Sequence, residues 1–450
     1  MKSRFQALWI SVCVFAALLL AMGCNDTLRQ FITPVPPPTG DPGALAHGIT
    51  LSTNPAPSGN GTDMHIDVSG DSSVGIVNVG IKPVFLGKSG NRIWSINSGD
   101  ASNPPTVSVY TALLPQSAVV TTVTLPSSPD PNAAVNPVAG GTSSTGNIYI
   151  ANRGSNNVSV ISAGVLAVTT TIPLPAGDSG PVMIAGNAAN NQIFVINQTS
   201  GTVTQISTID NTVVSPSITV GSSPVWGAMS SDGLFVFVVN QGSNNVSVID
   251  TSLRTVIATI PVGTSPNFGF YEARLKRLYV NNTGSNTISV IKADSISTTN
   301  PPLNLKDVPV SGTPTSVTAL SDGSKAYAAL GNCPAGINHL TIVAQLPSCT
   351  GNTVSVIDAV GLREMRTIPV GTGAVSIDSS ADASRVFVVN SHDSVTDASG
   401  THTAGTISDI RTSTDTEVVR KLAPQQDRNC KVSSTVFCAT QTPFLVRTFP

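Results

Sequence analysis

The segment Phe235-Val236-Phe237-Val238-Val239-Asn240, followed by Gly242-Ser243-Asn244-Asn245 and then Val246-Ser247-Val248-Ile249-Asp250, reads as two β-strands joined by a tight turn. β-Branched and aromatic residues fill both strands, and Ser-Asn-Asn supplies the positive φ that a short hairpin needs. Alternating side chains leave both strands by opposite faces, and here both faces are largely apolar. A sheet built from such strands must be covered on both sides. Upstream lie Ile218-Thr219-Val220-Gly221-Ser222-Ser223-Pro224 and the turn Ser231-Asp232-Gly233; downstream lies the strand Thr255-Val256-Ile257-Ala258-Thr259-Ile260. One unit is therefore four short strands.

The unit repeats. The Asn that ends its second strand recurs at Asn97, Asn152, Asn197, Asn240, Asn282 and Asn390, with Leu330 in its place in the sixth copy. The opening Gly recurs at Gly80, Gly177, Gly221, Gly263, Gly312 and Gly371. The spacings run from 42 to 60 residues, the range of a four-stranded propeller blade. The expected fold is all-β: a seven-bladed β-propeller of four-stranded antiparallel blades, repeats spanning about 76–422. The strand-like ends at 64–79 and 430–450 close it, by zipping onto the last blade or, as the alternative, by building an eighth.

Tyr279-Val280-Asn281-Asn282, Gly284-Ser285-Asn286-Thr287-Ile288-Ser289-Val290-Ile291 and Ile368-Pro369-Val370-Gly371 resemble the YVTN-repeat β-propellers of bacterial and archaeal surface proteins. The resemblance implies an extracytoplasmic, typically seven-bladed protein with no established reaction. The wider superfamily includes lactonase-like and quinoprotein-dehydrogenase-like enzymes, which keeps an enzymatic alternative open. No Trp-Asp pair closes a blade, which argues against the WD40 type.

Composition agrees. Of 450 residues, 11% are charged and only three are Glu (Glu272, Glu364, Glu417), against 38 Gly and 32 Pro. Helices favour the residues this chain lacks. A net charge of −2 offers nucleic acid no basic surface. No nucleic-acid partner, cofactor or metal is expected, and the chain is expected to be a monomer.

The N-terminus reads as an address. Lys2 and Arg4 precede a 16-residue apolar run from Ala7 to Met22, short for a membrane span. Leu20-Ala21-Met22-Gly23-Cys24 resembles the lipobox of bacterial lipoproteins, which implies a signal peptide over 1–23 and lipid on Cys24. Residues 24–60, rich in Pro, then form a tether, and 61–450 the propeller. The expected localisation is the cell envelope, with the lipid anchor as membrane contact. In an exported chain, Cys333, Cys349, Cys430 and Cys438 suggest disulfides. Three pairings are possible; Cys333–Cys349 and Cys430–Cys438 close the shortest loops.

Candidate chemistry is sparse. Gly177-Asp178-Ser179-Gly180-Pro181-Val182 has the look of a serine-protease motif but occupies an opening turn, with no His placed as its base. Asp63, His65 and Asp67 share a strand face and read as the wet face of an edge strand. Trp226 and Phe268 occupy one repeat position and read as packing between blades. No Glu pair suits glycoside hydrolysis. Insertions at 98–105, 126–142, 331–352 and 391–405 all fall on the links that emerge on one face of a propeller. Copies six, seven, one and two would then be consecutive and carry a binding rim containing Arg153, Asn332, His339, His392, Asp393, Asp397 and His402. The expected function is a non-catalytic binding module for an envelope protein, peptide or glycan.

Overall fold

A computed structural model describes residues 47–53, 59–67, 72–111, 119–126, 135–186, 190–294, 296, 302–397, 400–422 and 442–449. The chain divides into two units, Met1–Pro42 and Gly43–Pro450, and every described residue belongs to the second. Cys24, the signal segment, Cys430 and Cys438 lie outside the described residues.

The described strands, β1 to β32 in chain order, form eight four-stranded antiparallel sheets. Blades one to seven are β4–β7 (83–124), β8–β11 (137–173), β12–β15 (181–219), β16–β19 (224–261), β20–β23 (266–309), β24–β27 (316–369) and β28–β31 (374–422), each running in order from the axis outward. The innermost strands touch in sequence around a closed ring. The expectation of seven blades is thus corrected to eight, and the alternative is the arrangement found. In the eighth blade, β32 (Thr442–Phe449) is innermost and is followed outward by β1 (His47–Thr53), β2 (Asn60–Asp67) and β3 (Ser72–Ile81). The two ends of the chain therefore lock the ring by backbone pairing, His47 with Phe449 through Thr53 with Thr442. The repeat count missed this blade because its strands carry neither the Asn nor the Val-Ser-Val-Ile pattern. The propeller also starts earlier than expected: β1 lies inside the stretch 24–60 read as tether.

The repeated Asn is a staple. Asn240 Nδ2 donates to Asn245 Oδ1 at 2.8 Å and to Ser247 Oγ at 2.9 Å, both on the next strand. The same pair of bonds joins Asn97 to Thr106 and Ser108, Asn152 to Asn157 and Ser159, Asn197 to Thr202 and Thr204, Asn282 to Thr287 and Ser289, and Asn390 to Thr406 and Ser408. Each buried carboxamide satisfies the hydroxyls that β-pairing strands bury. The opening Gly belongs to the same device: a Cβ on Gly221 or Gly263 would stand 2.7 Å from the carboxamide of Asn240 or Asn282. In blade six, Leu330 replaces the Asn, and the matching Ser355 Oγ is buried without a partner. The turn Asn links blades instead. Asn156 and Asn244 adopt φ of 48° and 53°, and their Oδ1 atoms accept the N–H of Gly180 and Ser265 in the next blade's opening turn.

The Gly177–Val182 motif is confirmed as a turn. Asp178 accepts the hydroxyls of Thr202 at 2.7 Å and Thr204 at 2.5 Å, tying the turn to its own blade. The reading of β2 as a wet edge strand is overturned. β2 is the third strand of a closed blade, and Asp63 and His65 are fully buried against blade one. Asp63 Oδ2 accepts from Ser95 Oγ at 3.1 Å and from the Tyr110 hydroxyl, and His65 lies 5.7 Å from the Tyr110 ring. Burial raises the Asp63 carboxyl to about 7, opposed by those two hydrogen bonds.

Candidate functional site

In an antiparallel blade the link between strands two and three and the link to the next blade leave on the same side. Residues 98–105, 331–352 and 391–405 and the link from β7 (Val119–Thr124) to β8 (Pro137–Thr142) therefore share one face, as expected. Three details differ. Residues 137–142 are β8 itself. Residues 391–405 are not a loop but the prolonged ends of β29 (Arg385–Asp397) and β30 (Gly400–Arg411), paired out to Asp397 with Gly400. The eighth blade also separates seven from one, so the four insertions are not on consecutive blades. The opposite face carries long links too, 112–118 and 293–302, so link length alone does not mark the functional face.

The insertion in blade six is the feature that organises this face. Its neck is tight: the Gly351 N–H donates to Gly331 O at 2.7 Å, and a Cβ on Gly351 would stand 1.8 Å from Leu330 O. Cys333 and Cys349 form the expected disulfide across it. Between the cysteines the chain makes a short helix, α1 (Ile342–Gln345), and reaches across the axis. Gly336 N–H donates to Thr283 Oγ1 of blade five at 3.0 Å. Gln241 of blade four donates to Gly336 O at 3.2 Å and accepts from Asn338 at 3.3 Å. His339 Nε2 bonds to Val182 O of blade three at 2.7 Å and stands edge-on to Trp226 at 5.4 Å. The insertion is therefore a cap, anchored in blade six and docked on three others.

Three spaces surround it. Beneath the cap, on the axis, is a cavity of about 60 Å³ walled by Trp226, Phe268, His339, Phe444 and Arg447. Beside the cap, toward blades eight, one and two, is a groove of about 470 Å³ lined by Thr53, Lys82, Ser98, Asn136, Arg153 and His339. Val84 and His339 border both spaces, so the cavity lies directly behind the groove. On the opposite face a recess of about 590 Å³ is lined by Glu272, Arg274, Asp378 and Thr448.

Electrostatics differ among the three. Burial, helped by the charges of Arg153 and Arg447, pushes the His339 imidazole down to about 4, against the pull of the Val182 carbonyl, so it is neutral at physiological pH. Arg153 donates to Gln198 Oε1 at 2.8 Å, which fixes its guanidinium at the groove wall. Asp378 is raised by burial, against the field of Arg447 and the Thr448 N–H.

The expected rim residues divide. His339 and Arg153 meet at the groove. Asn332 sits at the cap's neck with φ of 47° and accepts the Thr313 N–H at 2.8 Å, a structural role. His392 Nδ1 bonds to the Ser391 hydroxyl at 2.9 Å, and Asp393 turns inward to Thr406 and Arg420. Asp397 and His402 lie farther out on the β29–β30 ribbon, opposite Gly400 and Val395. The described ribbon residues His392 and Asp393 are not among those that line the groove. No cluster of three or more His, Cys, Asp or Glu able to hold a metal occurs among the described residues. Trp226 and Phe268 do pack together, with ring centroids 4.5 Å apart, but on the axis under the cap. Trp226, Asn267 and Arg447 as neighbours could not be read from sequence, because they come from three blades and meet only when the ring closes.

No family model matches the chain, and no curated protein matches it. Solved structures that resemble it are β-propellers. Dihydro-heme d1 dehydrogenase NirN in complex with DHE aligns with a TM-score of 0.60 at 13% identity, over 89% of this chain and 74% of that one. The periplasmic gluconolactonase of Pseudomonas aeruginosa aligns with a TM-score of 0.53 at 13% identity, over 73% of this chain and 97% of that one. A 6-phosphogluconolactonase homologue from Bacteroides fragilis aligns with a TM-score of 0.50 at 10% identity, over 91% of this chain and 99% of that one. At these identities the likeness is one of fold: the chain is a β-propeller of four-stranded blades.

Proposed function

We propose that the protein is an exported, lipid-anchored propeller of the YVTN type that acts as a non-catalytic binding module, receiving a protein, peptide or glycan of the cell envelope. The observation that carries this reading is the groove. It is preformed, about 470 Å³ in volume, and walled by a cap that a disulfide and three blades hold in place. Rigid scaffolds with raised loops are where recognition surfaces sit. Lys82 and Arg153 give its wall a positive character suited to acidic or carboxylate-bearing groups.

The enzymatic alternative draws on the fold likeness to a gluconolactonase and a dehydrogenase. Acid–base catalysis at neutral pH needs a group that exchanges protons there. Among the described residues the groove lining contains no carboxylate, and its imidazole is neutral and committed to the Val182 carbonyl through Nε2. That composition favours binding over hydrolysis.

Two experiments test the reading. A pull-down from envelope extract with the wild type and with a Lys82→Glu/Arg153→Glu variant should retain a partner on the wild type alone. Equal retention by both removes the groove from the proposal, and turnover of a lactone by the wild type would establish the enzyme reading instead. The lipobox resemblance is tested separately. β1 begins at His47 on the face opposite the groove. Cys24→Ser should move the protein from the membrane pellet to the soluble fraction, because the lipid supplies the membrane affinity. A variant that still pellets after a carbonate wash rules out the anchor.

A further inference from the structure

The cavity beneath the cap is bordered by a charge for which the described residues provide no hydrogen bond or ion pair. Arg447 lies on β32, and its guanidinium borders the axial cavity. It stands 6.0 Å from the centroid of the Trp226 ring, in the range of a cation–π contact. A guanidinium presents five N–H donors in a planar fork and stays protonated in proteins. No hydrogen bond or ion pair joins Arg447 to another side chain among the described residues. Its nearest counter-charge, Asp378, acts on it only through space. That carboxylate accepts instead from the N–H groups of Thr448 at 2.9 Å and Ser379 at 3.0 Å. Two polar atoms of the cavity residues are buried without a partner: Asn267 Oδ1 and His339 Nδ1. With Nε2–H given to Val182 O, His339 Nδ1 is an acceptor.

Buried polar atoms are ordinarily satisfied, which Asn267 Oδ1 and His339 Nδ1 are not, and the half-buried Arg447 stands beside them with donors to offer. The apolar remainder of the wall, Phe268, Phe444, Ile337 and Val375, cannot satisfy any of them. A cavity of about 60 Å³ accepts roughly four water-sized probes at about 15 Å³ each, which matches a molecule of four to six heavy atoms.

We propose that this cavity is a binding site for a small carboxylate that carries a hydrogen-bond donor on its second carbon, a 2-hydroxy or 2-amino acid of two or three carbons. The carboxylate takes the planar fork of Arg447. The hydroxyl or amino hydrogen meets the acceptors Asn267 Oδ1 and His339 Nδ1, and the carbon chain lies against Trp226 and Phe268. The site lies behind the groove and stands whether or not the groove takes a macromolecular partner.

The test is titration calorimetry on the purified full chain at constant ionic strength, with glycolate, glycine, acetate and chloride as probes. Saturable binding of glycolate or glycine is expected, weaker binding of acetate, and none of chloride; the two stronger probes separate the hydroxy from the amino acid class. Arg447→Met should lower affinity by about tenfold or more, as expected for a lost hydrogen bond to a charged group, and Arg447→Lys by less. Because Arg447 lies on the ring-closing strand, binding is also read on the unaltered protein by saturation transfer to the acetate methyl group, which glycolate or glycine should displace. Acetate binding as tightly as both stronger probes overturns the role of the two acceptors. No binding beyond that of chloride, or unchanged affinity in a folded Arg447→Met protein, overturns the site.

Discussion

Blade four and the eighth blade bury polar groups in opposite ways. In blade four, Asn240 answers both polar side chains of the neighbouring strand within one repeat, and nothing titratable is involved. Among the described residues of the eighth blade the Asn at the end of the second strand is not repeated. Its polar side chains reach across the seam: Asp63 to Ser95 and Tyr110 of blade one, Arg447 toward the axis. A repeated blade can carry its own solution because each copy is made from contiguous chain. The closing blade is assembled from chain ends separated by nearly the whole sequence, so its partners belong to other blades. The contribution of the Asn staple should therefore be indifferent to pH, and that of the Asp63 seam should not.

The largest test of that contrast is Asp63→Asn. The folded carboxyl titrates near 7, above its ordinary value of 3.8. A raised folded value means that its contribution is fully present below about pH 3.8 and is lost as the pH rises through 7. A shift of about three units corresponds to at most about 4 kcal/mol at 1.36 kcal/mol per unit. Asn keeps an acceptor for Tyr110 and Ser95 but carries no charge. Chemical denaturation at pH 8.5 should find Asp63→Asn more stable than the wild type, with the gap closing by pH 4.5. A gap that is constant across that range would mean that the carboxyl does not titrate in the folded protein.

A smaller effect separates a stapled blade from the one that lost its staple. Asn240→Ala leaves the buried Ser247 hydroxyl without its carboxamide donor, while Asn245 Oδ1 keeps Ser243, and should cost about 2 kcal/mol, within the range for an orphaned buried group. Ser355→Ala in blade six removes a hydroxyl that already has no partner, so its cost should be near zero, about 0.5 kcal/mol or less. Equal losses in the two variants, measured by urea midpoints, would show that the Asn staple contributes nothing beyond volume.

Much of the architecture was legible because it is local. Asn, Gly and the Ser-Asn-Asn turn sit at fixed offsets, and their bonds close within one blade or to the next opening turn, so a repeat read along the chain is a repeat in space. The Cys333–Cys349 bridge was legible for the same reason, since it joins the two feet of one insertion. The eighth blade was legible only as the alternative, because β1, β2 and β3 follow none of the offsets and β32 joins them only by pairing with the far end of the chain. Asp63 and His65 were misread for that cause: a strand that alternates polar residues looks wet until a neighbouring blade covers it.

The sequence by itself determined that the protein is an all-β ring of four-stranded blades, which links emerge on which face, and where the cap is tied. Those follow from short-range turn chemistry and antiparallel pairing. Only the tertiary structure decided the number of blades, the burial of Asp63 and the meeting of Arg153 with His339 at the groove. It alone placed Arg447 beside Trp226 under the cap. Closing a ring brings together residues hundreds of positions apart at distances that depend on how many blades share the circle, and no local pattern along the chain encodes that number.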